Sequence, residues 1–104
     1  MSRKAKVFVG ADLAGFLEEL VYKTSYKFSY LDGYKGLPIS LTMPVSQKEY
    51  YFEKFPPFFD GLLPEGSMLE ALLKKKKIDR DDHMSQLLVV GHDMVGNVTV
   101  EEIL

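Results

Sequence analysis

The hydrophobic period of this chain switches near Pro57 and returns only in its last strand, and that switch constrains the fold more than any other feature. Before it, apolar residues alternate with polar ones, the period of a half-buried strand; after it they recur at spacings of three and four, the period of a helix. Ala5 to Val9 reads as a short strand, with Val7 and Val9 on one face and Phe8 on the other. GADLAG supplies the glycines and aspartate of a hairpin connection, and Ala14 to Leu20 is the returning strand, with Glu18 and Glu19 near its end. YKFSYL, Tyr26 to Leu31, alternates aromatic and polar; the DGYKG after it is a loop. ISLTM, Ile39 to Met43, alternates again and is expected as a further strand closed by Pro44.

The second half is expected to be helical. A short helical stretch runs through FFDGLL, and a longer helix begins near Ser67, where Ser67 and Glu70 fit the S-x-x-E capping box. Leu69, Leu72 and Leu73 share one face of that helix, and Lys74 to Lys77 form its last turn, where cations meet the negative end of the macrodipole. Asp79 to Asp82 offer N-caps for another helix carrying Met84, Leu87, Leu88 and Val90 and ending at Gly91. Val98 and Val100 in NVTV then make a last strand after the Gly96-Asn97 turn. Strands, then helices, then one strand predict an α+β fold: a small antiparallel β-sheet, a meander plus a closing strand, with two to three helices in a single domain spanning residues 1–104.

Bulk properties narrow the function classes. Thirteen basic and fifteen acidic residues give a net charge of −2, which argues against general binding to nucleic acid or an anionic membrane. There is no cysteine, so neither a disulfide framework nor a Cys-based zinc site is available. The basic start, MSRKAKVFVG, is not followed by an apolar region of signal-peptide length, and no segment approaches the roughly 20 apolar residues that span a bilayer. A cytoplasmic location without membrane contact is expected.

No catalytic constellation emerges. The two histidines, His83 and His92, lack the i, i+4 spacing of a helical metal site, and no serine sits in a G-x-S-x-G elbow. No glycine-rich phosphate loop occurs. Asp60 and Glu65 flank the GLLP turn, but an acid/base pair needs a cleft that shifts one of the two pKa values. The simpler expectation is that Asp60 satisfies backbone donors at the turn and Glu65 serves the positive end of the next helix. An enzyme is not expected, nor a cofactor or a metal. The aromatics point elsewhere. Tyr50, Tyr51, Phe52, Phe55, Phe58 and Phe59 put six of thirteen aromatics into ten residues, with Pro56 and Pro57 among them. A chain this small cannot bury them all, and apolar surface rimmed by polar groups marks a protein partner. An RNA-stacking platform would need a basic surface as well.

One stretch is more specific. FFDGLLPEG, Phe58 to Gly66, followed by LEALL, resembles the signature of the N-terminal subdomain of HipA-type serine/threonine kinase toxins. VFVGADLAGFLEEL resembles that family's opening hairpin, PISLTMPV its central strand and VVGHDMVGNVTV its closing G-x-D-x-x-G-x-V-x-V segment, in the same order. The resemblance makes Phe58, Phe59, Asp60, Gly61, Leu62, Leu63, Pro64, Gly91, Asp93 and Gly96 family-motif structural positions. It makes Glu65, Gly66, Ser67 and Met68 the residues that face a kinase partner, although many family members carry a tryptophan where this chain has Ser67. No kinase catalytic loop, D-F-G or ATP-binding lysine motif is present, and the sequence ends at Glu101 to Leu104, where the family's kinase body is expected to begin. A free-standing copy is similar to the HipS-type antitoxins of three-gene HipBST systems. What that similarity implies is an antitoxin that binds and inhibits a HipT-like serine/threonine kinase toxin, with a HipB-like helix-turn-helix protein as a third member of the complex. The alternatives it leaves are a non-inhibitory structural subunit that completes the kinase assembly, or a piece of a longer kinase chain.

Overall fold

A computed structural model describes residues 3–91 and 97–103. Five strands, β1 (Arg3–Val9), β2 (Asp12–Val21), β3 (Ser25–Tyr30), β4 (Glu49–Phe52) and β5 (Val98–Glu102), form one antiparallel sheet in the order β4-β3-β2-β1-β5. Among the described residues, three helices, α1 (Pro57–Asp60), α2 (Gly66–Lys76) and α3 (His83–Val90), lie between β4 and β5 in sequence. β1 to β3 form the expected meander, and β5 closes it by pairing with β1, Val7 opposite Val100.

Alternation sorts the sheet into two faces. Ala5, Val7, Leu17, Tyr26, Phe28 and Val100 are all buried on one face, where they pack with Phe59 of α1 and Met84 and Leu87 of α3. The opposite face carries Lys4, Lys6, Phe16, Lys27 and Tyr51, with Lys4 Nζ lying 4.7 Å from the Phe16 ring centroid. The aromatic ladder of β3 drives this packing: Phe28 meets Tyr30 edge-on at 4.9 Å and Tyr26 meets Phe55 edge-on at 5.3 Å.

The expected strand at ISLTM does not form, which also removes PISLTMPV as a central strand. Residues 39–43 make a tight turn bridged between Ser40 and Met43, with Ile39 and Met43 buried and Leu41 95% exposed at the apex. Pro38 and Pro44 lack the N–H groups that a ladder would use, and two buried anchors around one exposed residue mimic strand alternation. The fourth strand comes from the aromatic cluster instead. In EYYF, Tyr50 and Phe52 are half-buried while Tyr51 is exposed. Four residues of nearly continuous aromatic character show no readable period.

α3 begins as the sequence indicates. Asp82 is its N-cap, and the carboxylate accepts hydrogen bonds from the Ser85 backbone N–H at 3.2 Å and the Ser85 hydroxyl at 2.8 Å. Gly91 ends the helix in an ordinary right-handed conformation, φ −61°. Glycine is needed there for proximity: a Cβ on Gly91 would sit 2.7 Å from Val100 Cβ and 2.8 Å from the Val100 carbonyl oxygen. The family-motif positions Asp93 and Gly96, together with His92, lie outside the described residues.

Candidate protein-interaction site

The corner of FFDGLLPEG is built by backbone bonds. Pro57 opens α1, where a missing N–H costs nothing. Asp60 N–H then donates to Pro56 O and Gly61 N–H to Pro57 O, both at 3.0 Å, and Leu62 and Leu63 N–H reach Phe59 O and Asp60 O at 3.1 Å. Phe59 is fully buried against Phe28 and Phe58, at ring separations of 6.1 and 5.1 Å. Leu63 is buried as well, whereas Phe58 and Leu62 are half-buried and Asp60 and Gly61 exposed. The expected role of Asp60 is thereby corrected: its main chain closes the corner, and its carboxylate faces outward.

Pro64 and Glu65 carry the chain to α2. Glu65 is the N-cap in an extended conformation, and its side chain makes no capping hydrogen bond, although it sits at the positive end of the helix as expected. Gly66 follows at φ +60°, a left-handed geometry that glycine adopts without strain. This corrects the expected capping box. The helix starts at Gly66, so Ser67 already lies inside the first turn, and Glu70 reaches away to Arg80, its Oε2 2.9 Å from a guanidinium nitrogen.

No residue of α2 is buried. Leu69, Leu72 and Leu73 are half-buried on one side, and Ser67 and Met68 are exposed, Met68 at 72%. Lys74 to Lys76 point into solvent in the last turn, and Lys77 caps it in a left-handed conformation, its N–H bonded to the Leu73 carbonyl. The four residues from Glu65 to Met68 are therefore contiguous and exposed. Beneath them lies a shallow pocket of about 200 Å³ where Asp60, Leu63, Glu65, Leu69, Arg80 and His83 converge. A second, of about 290 Å³, adjoins it, sharing Asp60 and His83 and adding Lys54, Phe55 and Pro57. His83 packs against Phe55 at 5.4 Å. The arrangement presents a helix end over a groove of mixed apolar and charged lining.

What holds α3 under this corner is an ionic clamp. The Arg3 guanidinium donates to both Glu19 oxygens, at 2.7 and 2.9 Å, to Asp82 Oδ1 at 2.8 Å and to the Ser85 hydroxyl at 2.5 Å. Burial alone would raise the Asp82 carboxyl, but the hydrogen bonds from Arg3 and Ser85 outweigh it and hold the group below its ordinary range. Glu19 is 3% exposed, and its second oxygen also accepts from Lys23 N–H at 3.0 Å. Beside it, burial, with the charge of Glu19 adding to it, pushes the Tyr26 phenol up to about 12. Among the described residues the Tyr26 hydroxyl makes no hydrogen bond of ordinary length and angle, although it lies close enough to the Glu19 carboxylate for that contact to add to the rise. The sequence reading missed this clamp, yet a signal was available: Glu19 falls two residues after Leu17 on the buried side of β2, and a carboxylate there requires a cation.

Comparisons with known proteins agree with this architecture. The family model described as the HipA N-terminal domain matches residues 5–101. An uncharacterised protein of Haemophilus influenzae is 33% identical over 100 residues, covering 96% of this chain and 92% of that protein. Among solved structures, the N-terminal domain of HipA toxin superposes with a TM-score of 0.76 at 31% identity, covering 98% of this chain and 93% of the other.

Proposed function

The chain belongs to the HipA N-terminal domain family, and on that premise we propose that it is a non-catalytic antitoxin that binds a HipA-like serine/threonine kinase toxin and holds it inactive. Family membership supports a place in a kinase-toxin system. The observation that carries the finer reading is Met68, 72% exposed on a helix none of whose residues is buried. A flexible, polarisable thioether in that position is suited to seating in an irregular apolar hollow of a partner. Ser67 beside it is too short to fill one. The neighbouring pockets are small and open, with apolar residues (Phe55, Leu63, Leu69) beside charged ones (Asp60, Glu65, Arg80), a mixed lining that suits docking of a protein surface more than enclosure of a substrate. The kinase is inhibited because the domain binds its inactive arrangement better than its active one, a shift of population set by that difference in affinity. The complex forms in the cytoplasm, with a HipB-like helix-turn-helix protein as its DNA-binding member.

Co-expression with a HipA-like kinase encoded beside this chain tests the reading, scored by growth and by co-elution on a sizing column. Rescued growth with a stable complex is the expected result. Co-elution without rescue would turn the domain into a structural subunit, and neither would refute both roles. Met68→Asp should weaken the complex at least tenfold while leaving the melt of the isolated domain unchanged; undiminished inhibition would remove α2 from the interface.

A further inference from the structure

α2 is attached to the body of the molecule unlike any other element. None of its residues is buried, whereas α3 buries Met84, Gln86 and Leu87. Its apolar contact is made by Leu69, Leu72 and Leu73, all of them half-buried. Among the described residues no hydrogen bond or ion pair joins α2 to the sheet or to α3. The Glu70 carboxylate meets Arg80, but Arg80 belongs to the linker that leaves the helix, and both side chains are more than half exposed. Pairs so exposed contribute little to stability. Open space lies under both ends of the helix. The pocket of about 200 Å³ sits against Leu69 near the N-terminus. Another, of about 280 Å³, opens between Lys76, Ile78, Leu88 and Val89 at the C-terminus.

Both ends also turn through left-handed residues. Gly66 enters the helix at φ +60°, with nothing within 4 Å of the place a Cβ would take. Lys77 leaves it at φ +55°, where glycine is the usual occupant. The chain beyond each end is firmly held. Leu63 is buried in the corner before the helix. After it, Lys23 Nζ meets Asp81 at 2.9 Å, and Gln86 Nε2 donates to the Arg80 carbonyl at 3.0 Å. A weakly packed segment between two fixed points opens as one unit.

We propose that α2 is a conformational strap: residues 66–77 undock and melt together while the sheet, α1 and α3 keep their structure. The helix has 11 residues, and isolated helices shorter than ~12–15 residues are marginal in water, so undocking costs α2 its own hydrogen bonds. Only the half-buried leucines lose apolar contact in the process, so the opening lies well below global unfolding. The undocking needs no partner and stands apart from the antitoxin reading. Met68 rides on the strap, so a partner that grips the docked form holds α2 closed.

Native-state hydrogen exchange of the whole chain, followed amide by amide by NMR from zero to low urea, tests the strap. The amides of Leu72, Leu73 and Lys74 should exchange together, about a hundredfold or more faster than Leu17 in the central strand and Leu87 in α3. Urea should scarcely accelerate them, because little surface becomes exposed. Equal rates and equal urea dependence in α2 and the sheet would make α2 part of the cooperative core and overturn the proposal. Exchange at the rate of an unstructured peptide would overturn it as well, since α2 would then not dock at all. Val7→Ala separates local from global opening. Val7 is fully buried in β1, so its truncation should speed exchange in the sheet by roughly tenfold or more. The sheet is intact whether α2 is docked or not, so the α2 amides should stay within about twofold of the parent. Matching acceleration in both would mean that α2 opens only with the whole domain, and the strap would be refuted.

Discussion

Removing Arg3 should cost far more than its place at the start of the chain suggests. Arg3→Ala deletes the cation that meets both Glu19 oxygens and Asp82, and Glu19, 3% exposed in the parent, is left with only the Lys23 N–H and the neighbouring Tyr26 hydroxyl. Breaking one partner of a fully buried ion pair costs about 3–5 kcal/mol, because the remaining charge stays desolvated. The Arg3 side chain keeps 27% of its exposure, so water screens part of the cluster and about 2–4 kcal/mol is expected. With an unfolding entropy near 2.1 cal/mol/K per residue, a chain of 104 residues loses stability at about 0.2 kcal/mol per degree, so Tm should fall by about 10–20 °C. Calorimetry or a circular-dichroism melt at neutral pH reads this directly. The reasoning makes a sharper claim about the double variant. Arg3→Ala with Glu19→Gln removes the stranded charge along with its cation, so it should melt above Arg3→Ala alone, a coupling that only contacting groups show. A fall below about 3 °C for the single variant, or a double variant no better than the single, would refute the clamp.

Other perturbations discriminate among the core contacts. Phe59→Ala should cost about 3–5 kcal/mol, whereas Phe58→Ala, at a half-buried ring, should cost about 1–2 kcal/mol; equal losses in chemical denaturation would contradict the burial difference. Tyr26→Phe should change stability by less than about 1 kcal/mol, because the deleted hydroxyl is buried and makes no bond of ordinary length and angle even to neighbouring Glu19; a larger loss would mean that it is bonded to the Glu19 carboxylate. The acid limb of stability should depend on Asp82. Its folded-state pKa lies below the ordinary 3.8, so its contribution is complete above that value and disappears as pH falls through the folded value. Melts of Asp82→Asn should therefore start lower at neutral pH and decline less than wild type below about pH 4. Parallel curves would take Asp82 out of the acid response.

Two short-range signals in the sequence translated directly into structure. Asp82 caps α3 because the bond to Ser85 spans only three residues, and the alternation of Tyr26, Phe28 and Tyr30 is the sheet's buried face read directly. The strand expected at ISLTM failed because period two is also the pattern of a turn whose ends are anchored inward. What decides between them is the Tyr30 hydroxyl, nine residues away from Ile39 and thirteen from Met43. The clamp was illegible for the same reason on a larger scale: Arg3 and Asp82 are 79 residues apart. Nothing local to either residue announces the other, although Glu19 on a buried position of β2 requires that some cation exist.

The interaction site divides along that line too. Exposure at residues 65–68 was anticipated from the motif, and it follows from the helix start that Gly66 permits at φ +60°. The capping box was a local rule that lost to a tertiary one. Glu70 gains a charged partner in Arg80, ten residues on, and an exposed helix start can leave its N–H groups to water at little cost. That substitution has a consequence for recognition. A capping box would tie down the first turn of α2 with its own side chains, whereas here the Glu65 side chain forms no capping hydrogen bond and Ser67 and Met68 are exposed. The helix end therefore offers unpaired backbone donors beside an apolar thioether, and a partner that supplies acceptors to the first and a hollow to the second satisfies both at once.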